Sequence, residues 1–152
     1  MNTGYSYLSA TENDLPVLIK LAREVIQYNY SLFLDNALIQ NFMQSGQCDK
    51  EILKNMKNCI IMKRKTEYIG FSILLENKIH LMMFAPAYQN QGHGTTFLSY
   101  LENRLFLEYK QIELQSFIGN TIANKFYEKN GWIKTETIKT DIEIYLFTKN
   151  RV

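Results

Sequence analysis

The chain has 152 residues, 46% of them apolar and 21% charged, with only two prolines and seven glycines. That balance excludes a disordered or low-complexity protein and leaves enough length for one domain, residues 1–152, to bury a core without disulfides or metals. A net charge of +2 with a pI near 8.4 is too small an excess for a nucleic-acid partner, which calls for a concentrated basic face.

In chain order, a short aromatic strand is expected over Tyr5–Leu8. Leu15, Leu18, Ile19, Ala22, Val25 and Ile26 then recur at helical spacing. Pro16 has no N–H to donate and belongs in the first turn, which favours Asn13 over Thr11 as the N-cap. A second helix follows at about Asn36–Gln44, with a third, short one outlined between Asp49 and Asn55. From Cys59 to Ala85 the pattern becomes apolar runs between polar turns: Cys59–Lys63, Ile69–Leu75 and Ile79–Ala85 read as three antiparallel strands. The third is the most continuously apolar, through Leu81, Met82, Met83 and Phe84, and is expected in mid-sheet with both faces buried.

A helix over Gly92–Tyr109 carries the apolar stripe Phe97, Leu98, Leu101 and Leu105. A strand at Gln111–Phe117, a helix at Thr121–Asn130 ended by Gly131, and strands at Trp132–Ile138 and Ile142–Thr148 complete the order β-α-α-β-β-β-α-β-α-β-β. The fold class is α/β (α+β): a mixed, mostly antiparallel central sheet flanked by helices, with one βαβ unit inside it. The basic run Lys63-Arg64-Lys65 falls in a turn and reads as solvated. Cys48 and Cys59 have no metal spacing and read as reduced thiols. No run of about 18 apolar residues exists, and Met1–Ala10 lacks the pattern of a leader, so a cytoplasmic protein with no membrane or nucleic-acid partner and no metal is expected.

The chemistry concentrates in Gln89-Asn90-Gln91-Gly92-His93-Gly94, between the third apolar strand and its helix. Glycines there let a ligand approach the backbone. The free N–H groups of the helix's first turn, with the helix dipole, suit a pyrophosphate without lysine or arginine. Thr95 and Thr96 add hydroxyls. A plain strand-to-helix turn that tolerates glycine is the alternative. The segment is neither a Walker A loop, since no Gly-Lys-Ser/Thr follows, nor a dinucleotide fingerprint, since Phe97 stands where a third glycine would be.

With Phe84-Ala85-Pro86-Ala87-Tyr88 before it, this segment resembles the signature Gln/Arg-x-x-Gly-x-Gly/Ala of the GNAT superfamily of acyl-CoA N-acyltransferases. A second motif, Asn120-Thr121-Ile122-Ala123-Asn124-Lys125-Phe126-Tyr127-Glu128-Lys129-Asn130-Gly131-Trp132, is similar to that family's downstream pattern. The resemblance spans nearly the whole chain and is weakest before Cys59. It implies acetyl-CoA as co-substrate, with main-chain groups of Met82, Met83 and Phe84 along the pantetheine arm and Gln89, Asn90, Gln91, Gly92, His93, Gly94 and Thr95 around the pyrophosphate. Asn120 would contact the arm, or cap a helix, or both. Tyr127 would be the acid that protonates the departing thiolate, since a phenol with an ordinary pKa of about 10 stays protonated at neutral pH; otherwise its ring packs with Phe126 and Trp132.

The general base is less defined, because Leu81-Met82-Met83 has no carboxylate where many family members carry one. Glu76, His80 and Glu113 are the nearest candidates. Imidazole chemistry favours His80, while Glu76 reads as a turn residue and Glu113 as a strand partner. His93 is expected to be solvated. Tyr28, Tyr30 and Phe33 are candidate walls for an amine acceptor, or core aromatics. The expected function is acetyl transfer from acetyl-CoA to a primary amine of a small molecule or peptide. A non-catalytic acyl-CoA-binding module is the alternative, and a homodimer is left open.

Overall fold

The computed structural model describes residues 4–139 and 141–152. Its strands are β1 (Tyr5–Ser9), β2 (Cys59–Arg64), β3 (Glu67–Leu75), β4 (Lys78–Phe84), β5 (Gln111–Phe117), β6 (Ile133–Ile138) and β7 (Ile144–Asn150). Its helices are α1 (Leu15–Asn29), α2 (Asn36–Ser45), α3 (Gln47–Lys54), α4 (His93–Phe106) and α5 (Thr121–Lys129). The strands form one sheet in the order β1-β2-β3-β4-β5-β7-β6. It is mostly antiparallel, as in β1–β2, β2–β3, β5–β7 and β6–β7. The pair β4–β5 is parallel, with Lys78 facing Glu113 and Ile79 facing Leu114. The expected βαβ unit is therefore present, with α4 as its crossover.

Two compact units are distinguishable. One is the chain up to Leu74 with Leu81–Gly94; the other is Leu75–His80 with Thr95–Val152. The first buries the α1 stripe Leu18, Leu21, Ala22, Val25 and Ile26, together with Ile39 of α2 and Ile52 of α3. Cys59–Met62 of β2 and Ile69, Phe71 and Ile73 of β3 complete that core. The second buries Phe97, Leu98, Leu101 and Leu105 along the inner stripe of α4, with Ile112, Leu114, Trp132 and Phe147. The 3.6-residue periodicity of α1 and α4 thus sets which face each helix buries.

Local differences from expectation have simple causes. Asn13 is not the cap of α1: it lies inside a 3-10 turn over Glu12–Asp14, and Asp14 occupies the cap position. Asp14 instead accepts the Thr11 main-chain N–H at 2.9 Å and hydroxyl at 3.2 Å, so the Thr11 pairing closes the turn that precedes the helix. The third helix begins at Gln47 because Gly46, at φ +69°, both ends α2 and starts α3. Lys63 and Arg64 belong to β2, leaving a tight turn at Lys65, whose φ is +56°.

β4 is central in the strand order but is not buried on both faces. Ile79 and Met83 are buried, whereas Leu81, Met82 and Phe84 are half-buried and Lys78 and His80 exposed. Continuous burial belongs to β2 and β3 instead. An apolar run reports what a strand can bury, not what covers its second face.

Candidate functional site

In the first unit, Ala85 N–H donates to the Ile69 carbonyl at 3.0 Å, and Pro86–Tyr88 form a single 3-10 turn. Gly70 lets the end of β4 lie close: a Cβ there would stand 2.5 Å from the Met83 carbonyl oxygen and 2.8 Å from the Phe84 ring. The Leu81 carbonyl accepts the Ser72 hydroxyl at 2.7 Å. Gln89 is turned inward. Its amide donates to the Phe84 carbonyl at 2.9 Å and to Asn29 Oδ1 at 2.8 Å, and accepts from Asn29 Nδ2 at 2.9 Å. The last residue of α1 is thereby tied to the turn through a reciprocal amide pair. Gln91 Nε2 donates to the Ala87 carbonyl at 2.8 Å.

Asn90 and Gly92 both adopt left-handed backbone, at φ +62° and +85°, a conformation that Asn tolerates and Gly takes freely. A Cβ at Gly92 would meet nothing within 4 Å, so its glycine answers a backbone requirement and leaves open space over the turn. α4 begins at the next residue, with first-turn N–H groups of the kind that anions satisfy. The side chains of Gln89 and Gln91 bond to protein carbonyls, and space is left over Gly92 where a Cβ would stand; that arrangement fits a pyrophosphate. Gly94 is half-buried and Thr95 exposed.

His93 is not solvated. Only 4% exposed, its ring sits edge-on to those of Tyr5 and Tyr88, with centroids 5.6 and 5.9 Å away. Its Nδ1 is hydrogen-bonded to the Tyr5 hydroxyl, and Arg64 donates to the same hydroxyl at 2.8 Å. Tyr88 donates in turn to Glu67. Burial, and after it the Arg64 cation, hold the imidazole pKa below its ordinary 6.5. No pattern local to the glycine turn reveals this, because Tyr5 lies 88 residues upstream.

In the second unit, Asn120 caps α5, its Oδ1 accepting the Ala123 N–H at 3.3 Å. Asn124 Nδ2 donates to the Phe117 and Ile118 carbonyls at 3.1 Å each, which fastens α5 to the end of β5. Tyr127 is half-buried, its ring 5.5 Å from Phe126, 6.4 Å from Trp132 and 5.6 Å from Phe147. The ring packing weighed for it is therefore present, and its main-chain carbonyl accepts the Trp132 N–H at 3.0 Å.

Sequence reasoning missed Glu102. Its carboxylate accepts Trp132 Nε1–H and Lys149 Nζ–H, each at 2.8 Å, and Lys149 also donates to the Asn130 carbonyl at 2.8 Å. This network clamps the C-terminal end of the helix that carries Tyr127. His80 is exposed on β4, Glu113 pairs with Lys78 at 3.4 Å, and Glu76 is an exposed turn residue at φ +55°.

The aromatic candidates for the acceptor wall divide. Tyr28 is 62% exposed and lines a groove of 1030 Å³ along α1 with Ile19, Leu32, Met43 and Pro86. Tyr30 and Phe33 instead pack on each other, with centroids 5.4 Å apart, and burial pushes the Tyr30 phenol up to about 12. Among the described residues no helix is long and apolar enough to cross a membrane, and no group of three His, Cys, Asp or Glu is arranged to hold a metal.

Comparison with known proteins agrees with this architecture. A family model described as "Acetyltransferase (GNAT) domain" matches residues 21–147. No curated protein sequence matches. Among solved structures, a GCN5-related N-acetyltransferase from Rhodopseudomonas palustris is similar, at TM-score 0.84 and 14% identity over 96% of this chain and 95% of that one. The PaiA N-acetyltransferase of Thermoplasma acidophilum, in complex with coenzyme A, is similar at TM-score 0.83 and 19% identity over 97% and 99%. RimL, a ribosomal-protein alpha-N-acetyltransferase in complex with coenzyme A, is similar at TM-score 0.74 and 14% identity over 97% and 94%. At these identities the structures speak for the fold, and the family match over most of the chain speaks for membership: the protein belongs to the GNAT acetyltransferases, a family of acyl-transferring, coenzyme A-binding enzymes.

Proposed function

We propose that the protein moves an acetyl group from acetyl-CoA directly to a primary amine of a small molecule or peptide. The observation that carries this is the turn Gln89–Gly94, whose side chains at Gln89, Gln91 and His93 are engaged with protein groups while a Cβ at Gly92 would meet nothing within 4 Å, so that space lies over the turn at the start of α4. Coenzyme A in the PaiA and RimL structures supports the choice of donor. Here the turn takes the pyrophosphate and main-chain groups of Met82, Met83 and Phe84 take the pantetheine arm; Asn120 is assigned to the arm by its motif alone.

Acetyl-CoA supplies the thioester. The amine nitrogen attacks its carbonyl carbon, the new C–N bond forms, and the C–S bond breaks. Tyr127 gives its hydroxyl proton to the departing sulfur, and the nitrogen loses a proton to His80 or to water. His80 is preferred over Glu113, which pairs with Lys78, and over Glu76, which is held in a tight turn.

The test is a thiol-release assay with acetyl-CoA and a panel of polyamines, amino acids and peptide N-termini. Release that requires both protein and one class of amine is expected. Because Leu81–Phe84 carries no carboxylate, a non-catalytic acyl-CoA-binding module is the second reading: thermal stabilisation by acetyl-CoA without turnover on any amine would select it.

A further inference from the structure

His93 stands between the two glycines of the phosphate turn and is the first residue of α4, yet its imidazole is buried. Its seat is built by parts of the chain that carry no family motif. Tyr5 and Arg64 are cross-strand partners in the β1–β2 ladder. Arg64 Nη2 donates to the Tyr5 hydroxyl at 2.8 Å, its guanidinium carbon lies 4.7 Å from the Tyr5 ring centroid, and the same hydroxyl meets His93 Nδ1. Resting on the donor-binding reading above, we propose that Tyr5 and Arg64 are positioning residues of the phosphate turn, which fix the tautomer and seat of His93 and through it the approach of the α4 N-terminus to the donor's pyrophosphate.

The direction of the relay follows from the donor inventory. Arginine only donates, so the Tyr5 oxygen accepts from Arg64 and its own proton is free for Nδ1. A neutral His93 then accepts at Nδ1 and carries its hydrogen on Nε2. Because His93 lies between Gly92 and Gly94, a seated ring restrains the main chain on either side of it, where the pyrophosphate would approach. The basic run Lys63-Arg64-Lys65 is thus more than a solvated turn: its middle member reaches across to β1.

Protonation breaks the relay, since an imidazolium offers N–H at both nitrogens and can no longer accept from Tyr5. The charged and titratable groups around His93 are Tyr5 from β1, Arg64 from β2 and Tyr88 from the turn after β4, with Glu67 of β3 bonded to Tyr88. Of these, Arg64 opposes the imidazolium. Donor affinity should therefore weaken as pH falls through the His93 titration, not strengthen.

The experiment measures acetyl-CoA KM and kcat between pH 5 and 8 for the wild type, Tyr5→Phe and Arg64→Gln, with ¹⁵N NMR of the His93 ring in the free protein. Tyr5→Phe keeps the ring and removes the hydroxyl. It should raise the donor KM roughly five- to tenfold at neutral pH, the loss expected for one hydrogen bond, leave the acceptor KM and kcat near wild type, and flatten the acid rise in donor KM. The ¹⁵N shifts should change from a single Nε2–H tautomer to a mixture. Arg64→Gln removes a cation and should move the acid rise to higher pH. If Tyr5→Phe binds acetyl-CoA with unchanged KM and the same pH dependence, the inference is overturned while the functional reading stands. If the wild type binds no acetyl-CoA at all, both fall.

Discussion

The ring packing of Tyr127 and the acid role proposed for its hydroxyl can be separated by a single substitution. Its ring contacts with Phe126, Trp132 and Phe147 are retained in Tyr127→Phe, so the variant should fold with near wild-type stability. If the hydroxyl protonates the leaving thiolate, kcat falls about 10²-fold or more with the donor KM little changed; undiminished turnover in steady-state assays removes Tyr127 from the mechanism. Cys59 makes a different kind of prediction. Burial, helped by the Asp14 carboxylate, pushes its thiol up from 9.0 to about 12. A folded pKa raised above the unfolded one means that its contribution is fully present below pH 9 and is lost as pH rises from 9 toward 12. The urea midpoint of the wild type should therefore fall faster between pH 9 and 11 than that of Cys59→Ala; equal slopes would show that the thiol is not the cause. The left-handed turn at Gly92 and the Asn120 cap of α5 were legible in the sequence because both are local to a motif. The seat of His93 and the Glu102 network were not, because their partners are separated by 88 and 47 positions along the chain and no short pattern encodes such pairs.

At the level of elements, Gly70 is a test of how closely β3 and β4 approach beside the Gln89–Gly94 turn. In Gly70→Ala the new methyl meets the Met83 carbonyl oxygen at 2.5 Å, a main-chain atom that cannot rotate away. The variant should lose about 1–3 kcal/mol in urea denaturation and, because Met83 and Phe84 lead into the turn, bind the donor more weakly. Wild-type stability in Gly70→Ala would refute the close approach. Glu102 holds α4 to the segment after α5 and to β7 through Trp132 and Lys149. Its side chain is 11% exposed and that of Lys149 23%, so solvent screens the ion pair only in part. Glu102→Leu strands an indole N–H and an ammonium and should cost about 2 kcal/mol. Glu102→Gln, which still accepts from one of them, should recover part of that. Apart from α3, which the expected order β-α-α-β-β-β-α-β-α-β-β leaves out, the element order was readable because α1 and α4 carry full helical stripes and the strands are bounded by polar turns. What misled was the apolar run Leu81–Phe84, which suggested a strand covered on both sides, and the start of α3, which depends on a left-handed Gly46 that serves two helices at once.

For the molecule as a whole, donor binding should appear as added stability, since a ligand that binds only the folded chain shifts unfolding by mass action. At a concentration 100 times its Kd, acetyl-CoA would contribute about 2.7 kcal/mol, which for a chain of this size corresponds to a rise in Tm of roughly 5–10 °C. The parts of the donor can then be assigned. The turn Gln89–Gly94 contains no lysine or arginine, so under the proposed function its share of affinity would come from main-chain N–H groups and the helix dipole acting on the pyrophosphate. S-acetylpantetheine has the same thioester and arm but no pyrophosphate. It should therefore need a much higher concentration to give the same rise in Tm, while remaining an acetyl donor at saturating amounts if the thioester chemistry resides in the arm and Tyr127. Coenzyme A, with the pyrophosphate but no acetyl group, should stabilise the chain about as well as acetyl-CoA. Equal shifts from acetylpantetheine and acetyl-CoA at equal concentration would mean that the glycine turn holds no phosphate and is only the bend that joins β4 to α4.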